Sequence, residues 1–164
     1  MKPFKIRDIE INPKAVGAFV NRADVYETLK RYEQAKADYD GALEINPVEP
    51  HALAGACWVR AAFLGSELDR ARSQCDKALE ADPRDASVLD SRGMISLKQG
   101  RFQDAWNDYD AAIKLRPKDA SYWYGRALAA RALGRTADAT SDIANAKMLD
   151  PKIAETYATY GIKP

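Results

Sequence analysis

The sequence predicts an all-α solenoid built from antiparallel helix pairs, and three observations support this fold class. Prolines recur at a nearly constant interval, at Pro13, Pro47, Pro83, Pro117 and Pro151, spaced 34, 36, 34 and 34 residues apart. Between them, apolar residues recur at helical spacing. Isolated glycines fall midway through most units, where one helix has to end and the next begin. Self-similarity at a period of roughly 20 to 50 residues indicates a repeat array.

Each predicted unit is a first helix, a tight turn, and a second helix that ends at a proline. Every second helix carries an alanine where it must contact the first helix, and its closing phrase ends in proline, which disfavours helix in the preceding residue. The alanines are Ala35, Ala71, Ala105 and Ala139, and the closing phrases are residues 42–47, 78–83, 112–117 and 146–151.

The third unit shows the turn most clearly, with a first helix predicted over 87–98 and a second over 102–115. Gly100, and Gly134 in the next unit, suit the left-handed backbone conformation that ends a helix. The second unit is two residues longer than the others, and we expect the extra residues near the turn at Gly65-Ser66.

Three units also share a set of aromatic, small and apolar positions. The set is Phe19, Ala23, Tyr26, Ala35, Tyr39, Ala42 and Pro47 in the first unit; Leu89, Gly93, Gly100, Ala105, Tyr109, Ala112 and Pro117 in the third; and Trp123, Ala127, Gly134, Ala139, Ile143, Ala146 and Pro151 in the fourth. This pattern resembles the tetratricopeptide repeat family. The resemblance implies a right-handed superhelix whose first helices line a concave surface. Arg22, Arg92 and Arg126 stand where the family usually has leucine, and we interpret them as a subfamily trait rather than a site.

The repeat phase divides the chain into six predicted segments. Residues 1–15 form an atypical N-terminal segment or the remnant of a preceding unit, because residues 11–13 repeat the ending at 45–47. Residues 154–164 begin another first helix and then stop, as a capping half-repeat would. The complete units between them are residues 16–49, 50–85, 86–119 and 120–153.

The concave groove is the predicted functional surface, and we expect it to hold a peptide or a segment of a partner protein. A mixture of apolar side chains and charges of both signs suits an amphipathic ligand. Acidic residues at the places where chaperone-binding relatives carry cations argue against a chaperone's terminal carboxylate as the ligand. The residues predicted to face the groove are Val20, Asp24, Glu27, Thr28, Arg60, Asp90, Ser91, Met94, Leu97, Lys98, Tyr124, Leu128 and Arg131.

A structural scaffold is the alternative function, in which the terminal units stack on other copies and the chain self-associates. A nucleic-acid partner is disfavoured, because 25 basic and 24 acidic residues leave a net charge of only +1. No apolar run reaches the roughly 18–20 residues that a transmembrane helix needs, so we expect no membrane insertion.

Cys57 and Cys75 are the only two cysteines, and the midpoint between them is residue 66, within the predicted turn. Residues equidistant from the turn of an antiparallel hairpin lie at the same height on facing helices. The spacing fits a disulfide joining the two helices of the second unit. It also fits two reduced, buried cysteines that act as small apolar residues.

The sequence predicts no enzyme, no cofactor and no metal site. His51 is the only histidine and follows Pro50 at a helix start, where a surface or capping role is expected rather than that of a catalytic base. The glycines are isolated and form no phosphate-binding loop. The phrases at 38–40 and 108–110 and the tyrosine-containing end at 153–160 resemble exported bacterial repeat proteins. This resemblance favours a periplasmic origin, with the leader removed, over a cytoplasmic one.

Overall fold

The computed structural model describes residues 15–162, which contain nine α-helices and no strand. Consecutive helices pack as antiparallel pairs, so the predicted all-α fold of paired helices is confirmed. The predicted N-terminal segment 1–15 lies, except for Ala15, outside the described residues. The helices are α1 (Val16–Thr28), α2 (Tyr32–Ile45), α3 (Pro50–Val59), α4 (Leu68–Ala81), α5 (Ala86–Lys98), α6 (Phe102–Leu115), α7 (Ala120–Ala132), α8 (Thr136–Leu149) and α9 (Ile153–Thr159).

Short turns join the two helices of each pair, and a residue in the left-handed conformation occupies each turn. Gly100 and Gly134 adopt φ angles of 71° and 75°, as the sequence predicts. Lys30 takes the equivalent position between α1 and α2 with a φ of 57°, although it is not glycine. Left-handed backbone is costly for residues with a Cβ, by roughly 1–2 kcal/mol, so this turn is less favourable than those at Gly100 and Gly134.

The extra length of the second unit lies within its first helix. A π-helical segment, Arg60–Leu64, continues α3 directly up to the turn at Gly65. Its defining bond runs from the Gly65 amide to the Arg60 carbonyl oxygen at 3.0 Å. The additional residues are therefore close to the turn where they were expected, but the widened helical turn accommodates them and the loop does not.

Carboxylates of the inter-pair turns cap α5 and α7. Asp85 accepts hydrogen bonds from the amides of Ser87 and Val88 at 2.9 and 3.2 Å. Asp119 accepts one from the amide of Ser121 at 3.0 Å. An N-cap of this kind contributes about 1 kcal/mol and places an acidic group beside the first turn of the helix.

Tyrosines of the second helices are wedged against glycines of the first helices. Tyr109 on α6 is fully buried, and a Cβ built on Gly93 would lie 2.9 Å from its ring. A Cβ on Gly125 of the following pair would overlap the same ring. Tyr39 on α2 has the same relation to Gly55 on α3. These glycines are therefore required by packing, because each lets a first helix approach an aromatic ring of a neighbouring second helix.

Arginines of the first helices join neighbouring pairs through second-helix aspartates. Arg92 on α5 donates two bonds to Asp108 on α6, Nε to Oδ2 at 3.0 Å and Nη2 to Oδ1 at 2.6 Å. Its Nη1 reaches back to Asp76 on α4 of the preceding pair at 2.9 Å. Because Asp108 is nearly buried, this two-pronged ion pair compensates a carboxylate that would otherwise be costly to desolvate.

The same arrangement recurs at constant spacing. Arg126 bonds Asp142 sixteen residues ahead and Asp110 sixteen residues behind, and Arg22 bonds Asp38 sixteen residues ahead. The arginines that the sequence marked as a subfamily trait thus form a ladder of ion pairs along the stack of helices. The sixteen-residue interval between arginine and aspartate was the signal in the sequence for this ladder.

Candidate functional site

The first helices line the inner face of the stack. Each contacts the first helix of the next pair: α1 contacts α3, α3 contacts α5, and α5 contacts α7. Within residues 15–162, the backbones of successive second helices do not approach each other as closely, although Arg72 on α4 reaches Asp104 on α6 at 3.2 Å. The stack therefore curves with its first helices on the tighter side, and residues on that side are the candidates for binding a ligand.

Many of the predicted groove residues are buried and have little surface to offer a ligand, although two of them, Asp90 and Ser91, border a pocket. Met94 is fully buried in the core that α5 shares with its neighbours. The prediction that such positions face the groove overlooked how closely successive first helices pack. The buried members of the predicted set are Val20, Arg60, Asp90, Ser91, Met94, Tyr124 and Leu128. Partly or fully exposed are Asp24, Glu27, Thr28, Leu97, Lys98 and Arg131.

Arg60, which is predicted to contact a ligand, forms ion pairs within the chain. Its guanidinium is fully buried and pairs with Asp40 of the preceding pair, Nη2 to Oδ2 at 2.6 Å. A second bond runs from its Nε to Glu67 in the following turn at 3.0 Å. The hydrogen bond and the charge of Arg60 lower the pKa of Glu67. Arg60 therefore continues the ladder of ion pairs into the second unit.

The C-terminal helix α9 covers part of the inner face. The ring of Tyr157 on α9 packs edge-on against Tyr124 on α7 with the centroids 4.9 Å apart, which accounts for the burial of Tyr124. The ring of Tyr160 reaches Trp58 and Phe63 of the second unit, at centroid distances of 5.6 and 5.7 Å. The final segment thus extends beyond the last pair and closes the C-terminal half of the groove.

A pocket of about 380 Å³ remains open on the inner face beside the covered part. We call it the Asp90 pocket. Three successive first helices, α3, α5 and α7, contribute its walls, together with the turns that precede α5 and α7. Its lining residues are Ala54, Gly55, Trp58, Asp85, Ser87, Val88, Asp90, Ser91, Arg116, Asp119 and Tyr122.

Asp90 gives this pocket its main electrostatic feature. The side chain is only 8% exposed, and its bonds come from a single hydroxyl, Ser121 Oγ, at 3.3 and 3.4 Å. Burial, and secondarily the charge of Asp119, raises the pKa of Asp90 to about 7. Burial acts in this direction because a carboxylate without solvent is disfavoured relative to the neutral acid.

A second acidic group lies at the N-terminal end of the inner face. The hydroxyl of Tyr39 is 2.7 Å from Asp24 Oδ1 and 2.6 Å from Glu27 Oε1. His51 lies at the rim, with Nε2 3.1 Å from the same Asp24 oxygen. Burial raises the pKa of Glu27, although the bond from Tyr39 opposes this. Two of the predicted groove residues, Asp24 and Glu27, thus lie together and half exposed.

The two cysteines face each other across α3 and α4. Their sulfur atoms lie at bonding distance and their Cα atoms are 5.5 Å apart, within the usual range for a disulfide. Both residues are fully buried in the core. The geometry expected from the midpoint of the turn is therefore present, and the disulfide itself stays a prediction with a direct chemical test.

The described part of the chain contains no group of three or more histidine, cysteine, aspartate or glutamate residues that could hold a metal ion. None of its helices is both long and apolar enough to cross a membrane. The sole histidine, His51, is exposed at the first turn of α3.

Sequence reasoning found Asp90 and Ser91 but missed the residues that surround them. Trp58 and Tyr122 lie on first helices. Arg116 and Asp119 lie in the turn before α7, for which the repeat pattern predicts no function. Asp119 follows the proline of its unit by two residues, as Asp85 does. This recurring proline-x-aspartate was the available signal for a carboxylate at the mouth of the groove.

Comparison with known proteins agrees with this architecture. Two family models, each described as a tetratricopeptide repeat, match residues 16–49 and 92–147, which together exceed half of the chain. No curated protein matches it.

Solved structures of helical repeat proteins share the fold. One is YrrB, described as "a TPR protein with an unusual peptide-binding site", with 23% identity, a TM-score of 0.74, and coverage of 98% of this chain and 81% of that one. A crystal structure of MamA has 16% identity, a TM-score of 0.76, and coverage of 90% and 85%. MamA from Desulfovibrio magneticus RS-1 has 20% identity, a TM-score of 0.73, and coverage of 86% and 78%. With its paired helices, its repeat period and both family matches, the chain belongs to the tetratricopeptide repeat family.

Proposed function

We propose that this chain is a protein-interaction module that binds a peptide segment of a partner protein on its inner face, at the Asp90 pocket. The observation that carries the proposal is the pocket itself, which three successive first helices line. Its volume of about 380 Å³ falls at the small end of the roughly 300–1,000 Å³ typical of ligand sites. A site of this size suits one or two side chains of an extended segment.

The surroundings of the pocket support an extended ligand. The C-terminal half of the groove is filled by α9, so a helix lying along the whole inner face has no room. The Asp90 pocket, with the partly exposed Trp58 in its lining, and the half-exposed Asp24 and Glu27 offer polar and aromatic contacts. The peptide-binding site described for YrrB, which shares the fold, is consistent with a ligand of this class.

Selection from a random peptide library against the full chain tests this proposal. We expect binders whose affinity is lost in Ser87→Tyr, because Ser87 is exposed at the pocket and the larger side chain would fill it. Ser73→Tyr is the matched control, since Ser73 is exposed on α4, away from the inner face. Binders that tolerate Ser87→Tyr as well as they tolerate Ser73→Tyr would contradict the proposal.

The alternative, a self-assembling scaffold, makes a different prediction for the same samples. Light scattering of the unliganded chain should report a monomer at all concentrations if the inner face serves a separate partner. Growth in mass with concentration, insensitive to Ser87→Tyr, would favour stacking through the terminal units.

A further inference from the structure

Asp90 differs from every other buried aspartate of the described chain. Asp38, Asp108 and Asp142 are 3–6% exposed, and each accepts two bonds from an arginine at 2.6–3.0 Å. Asp90 is 8% exposed, and no lysine or arginine among the described residues lies within ion-pairing distance of it. Buried carboxylates are normally paired with a cation, so Asp90 is the exception that needs an explanation.

The hydrogen bond from Ser121 satisfies only a small part of the hydrogen-bonding capacity of the Asp90 carboxylate. Ser121 has one hydroxyl hydrogen, which can serve only one carboxylate oxygen at a time. Both of its distances to Asp90, 3.3 and 3.4 Å, exceed the usual range for a bond between two oxygens. Asp90 is also one of the residues that line the pocket, so a cation bound there would lie close to its carboxylate.

The other residues that line the pocket also favour binding of a cation. Asp85 and Asp119 add two carboxylates to the lining, whereas Arg116 is its only basic residue. The partly exposed Trp58 supplies aromatic surface, on which a guanidinium or ammonium group is stabilised by the ring electrons. The apolar lining also suits the methylene stem that such a side chain carries.

From these observations we propose that the Asp90 pocket receives an arginine or lysine side chain of the bound peptide, which supplies the cation that Asp90 lacks. The inference rests on the proposed function and specifies the ligand: a basic peptide segment. Because Asp90 titrates near neutrality, a cation that binds only the ionised carboxylate should bind roughly tenfold more tightly at pH 8 than at pH 6.

Two short probes test the proposal on the full chain. One is an acetylated and amidated five-residue alanine peptide with a central arginine, and the other carries citrulline, which has the same shape without the charge. Binding is followed through the indole resonance of Trp58, identified with Trp58→Phe. We expect the arginine peptide to bind at least tenfold more tightly than the citrulline peptide.

Asp90→Asn should abolish this preference, whereas Asp138→Asn, which removes an exposed carboxylate on α8, should keep it. Equal binding of both probes, or a preference that survives Asp90→Asn, would overturn the inference. Library binders that need the pocket but show no enrichment in arginine or lysine would also refute it while leaving the proposed function standing. A library that yields no pocket-dependent binder would refute both.

Discussion

The buried carboxyl of Asp90 should make the protein less stable as the pH rises towards neutrality, and Asp90→Asn should remove that loss. Burial and the charge of Asp119 raise the pKa of Asp90 in the folded chain to about 7, against an ordinary value of 3.8. The unfolded chain therefore releases this proton at a lower pH than the folded chain does. The stability that the protonated Asp90 carboxyl contributes to the folded chain is fully present below about pH 4 and is lost progressively up to about pH 7.

The size of the effect follows from the difference between the two pKa values. About three pKa units, at about 1.4 kcal/mol each, set an upper bound of about 4 kcal/mol. Asparagine has the shape of the neutral acid and cannot ionise. At pH 5 only about one of these three units has been crossed, so we expect Asp90→Asn to exceed the wild type by at most about 2 kcal/mol there and by about 3–4 kcal/mol at pH 8.

Groups on neighbouring elements also face Asp90, and their titration has to be separated from its own. Burial raises the pKa of Tyr109 and of Tyr157, so these phenols stay neutral throughout the range. The remaining neighbours titrate in both proteins, so their contributions cancel when the unfolding free energy of the wild type is subtracted from that of Asp90→Asn. The charged or titratable neighbours are Asp85 before α5, Tyr109 on α6, Arg116, Asp119 and Tyr122 around the start of α7, and Tyr157 and Tyr160 on α9 or just after it.

Urea unfolding followed by circular dichroism between pH 5 and pH 8 measures the effect. Asp138→Asn serves as the control, because removing an exposed carboxylate should change stability by a small amount that is independent of pH in this range. Parallel stability curves for the wild type and Asp90→Asn would refute the assignment of a raised pKa to this carboxyl.

Three further predictions concern the framework, each measured by urea unfolding. Gly125→Ala should destabilise the fold by about 1–3 kcal/mol because the new Cβ overlaps a buried tyrosine ring, whereas Gly17→Ala, with open space around it, should be neutral or slightly stabilising. Arg92→Ala should cost about 3 kcal/mol by leaving a buried aspartate unpaired. Lys114→Ala, which breaks an exposed pair, should cost under about 0.5 kcal/mol. Denatured, unreduced protein should titrate no free thiol, and reduction of the α3–α4 disulfide should lower stability by about 3 kcal/mol; two free thiols would disprove the disulfide.

The helix pairs could be predicted from the sequence because their signals are local. A glycine such as Gly100 ends one helix, a proline such as Pro117 stops the next, and the interval between units repeats. The extra residues of the second unit were harder to assign. A π-helical turn at Arg60–Leu64 depends on how the lengthened helix packs, and no residue in that segment marks it.

The groove was only partly predictable, because its accessibility depends on contacts between residues distant in sequence. Tyr160 meets Trp58 across about a hundred residues, and this contact closes one half of the inner face. A repeat pattern assigns each residue to a face of its helix but does not reveal which parts of that face a later segment covers. For this reason the sequence predicts that Met94 and Tyr124 are available to a ligand, whereas the structure shows that both are buried.

The ladder of ion pairs also explains why Asp90 has no partner within the chain. Asp90 and Arg92 are two residues apart on α5, and such positions point to nearly opposite sides of a helix. Arg92 faces the second helices and is fully engaged there with Asp108 and Asp76. Asp90 faces the inner side, where the corresponding residues of the neighbouring first helices are Ala54 and Tyr124, which carry no charge. The repeat thus places every ladder arginine on one side of the first helices and leaves a buried carboxyl on the other, where the ladder supplies no counter-charge.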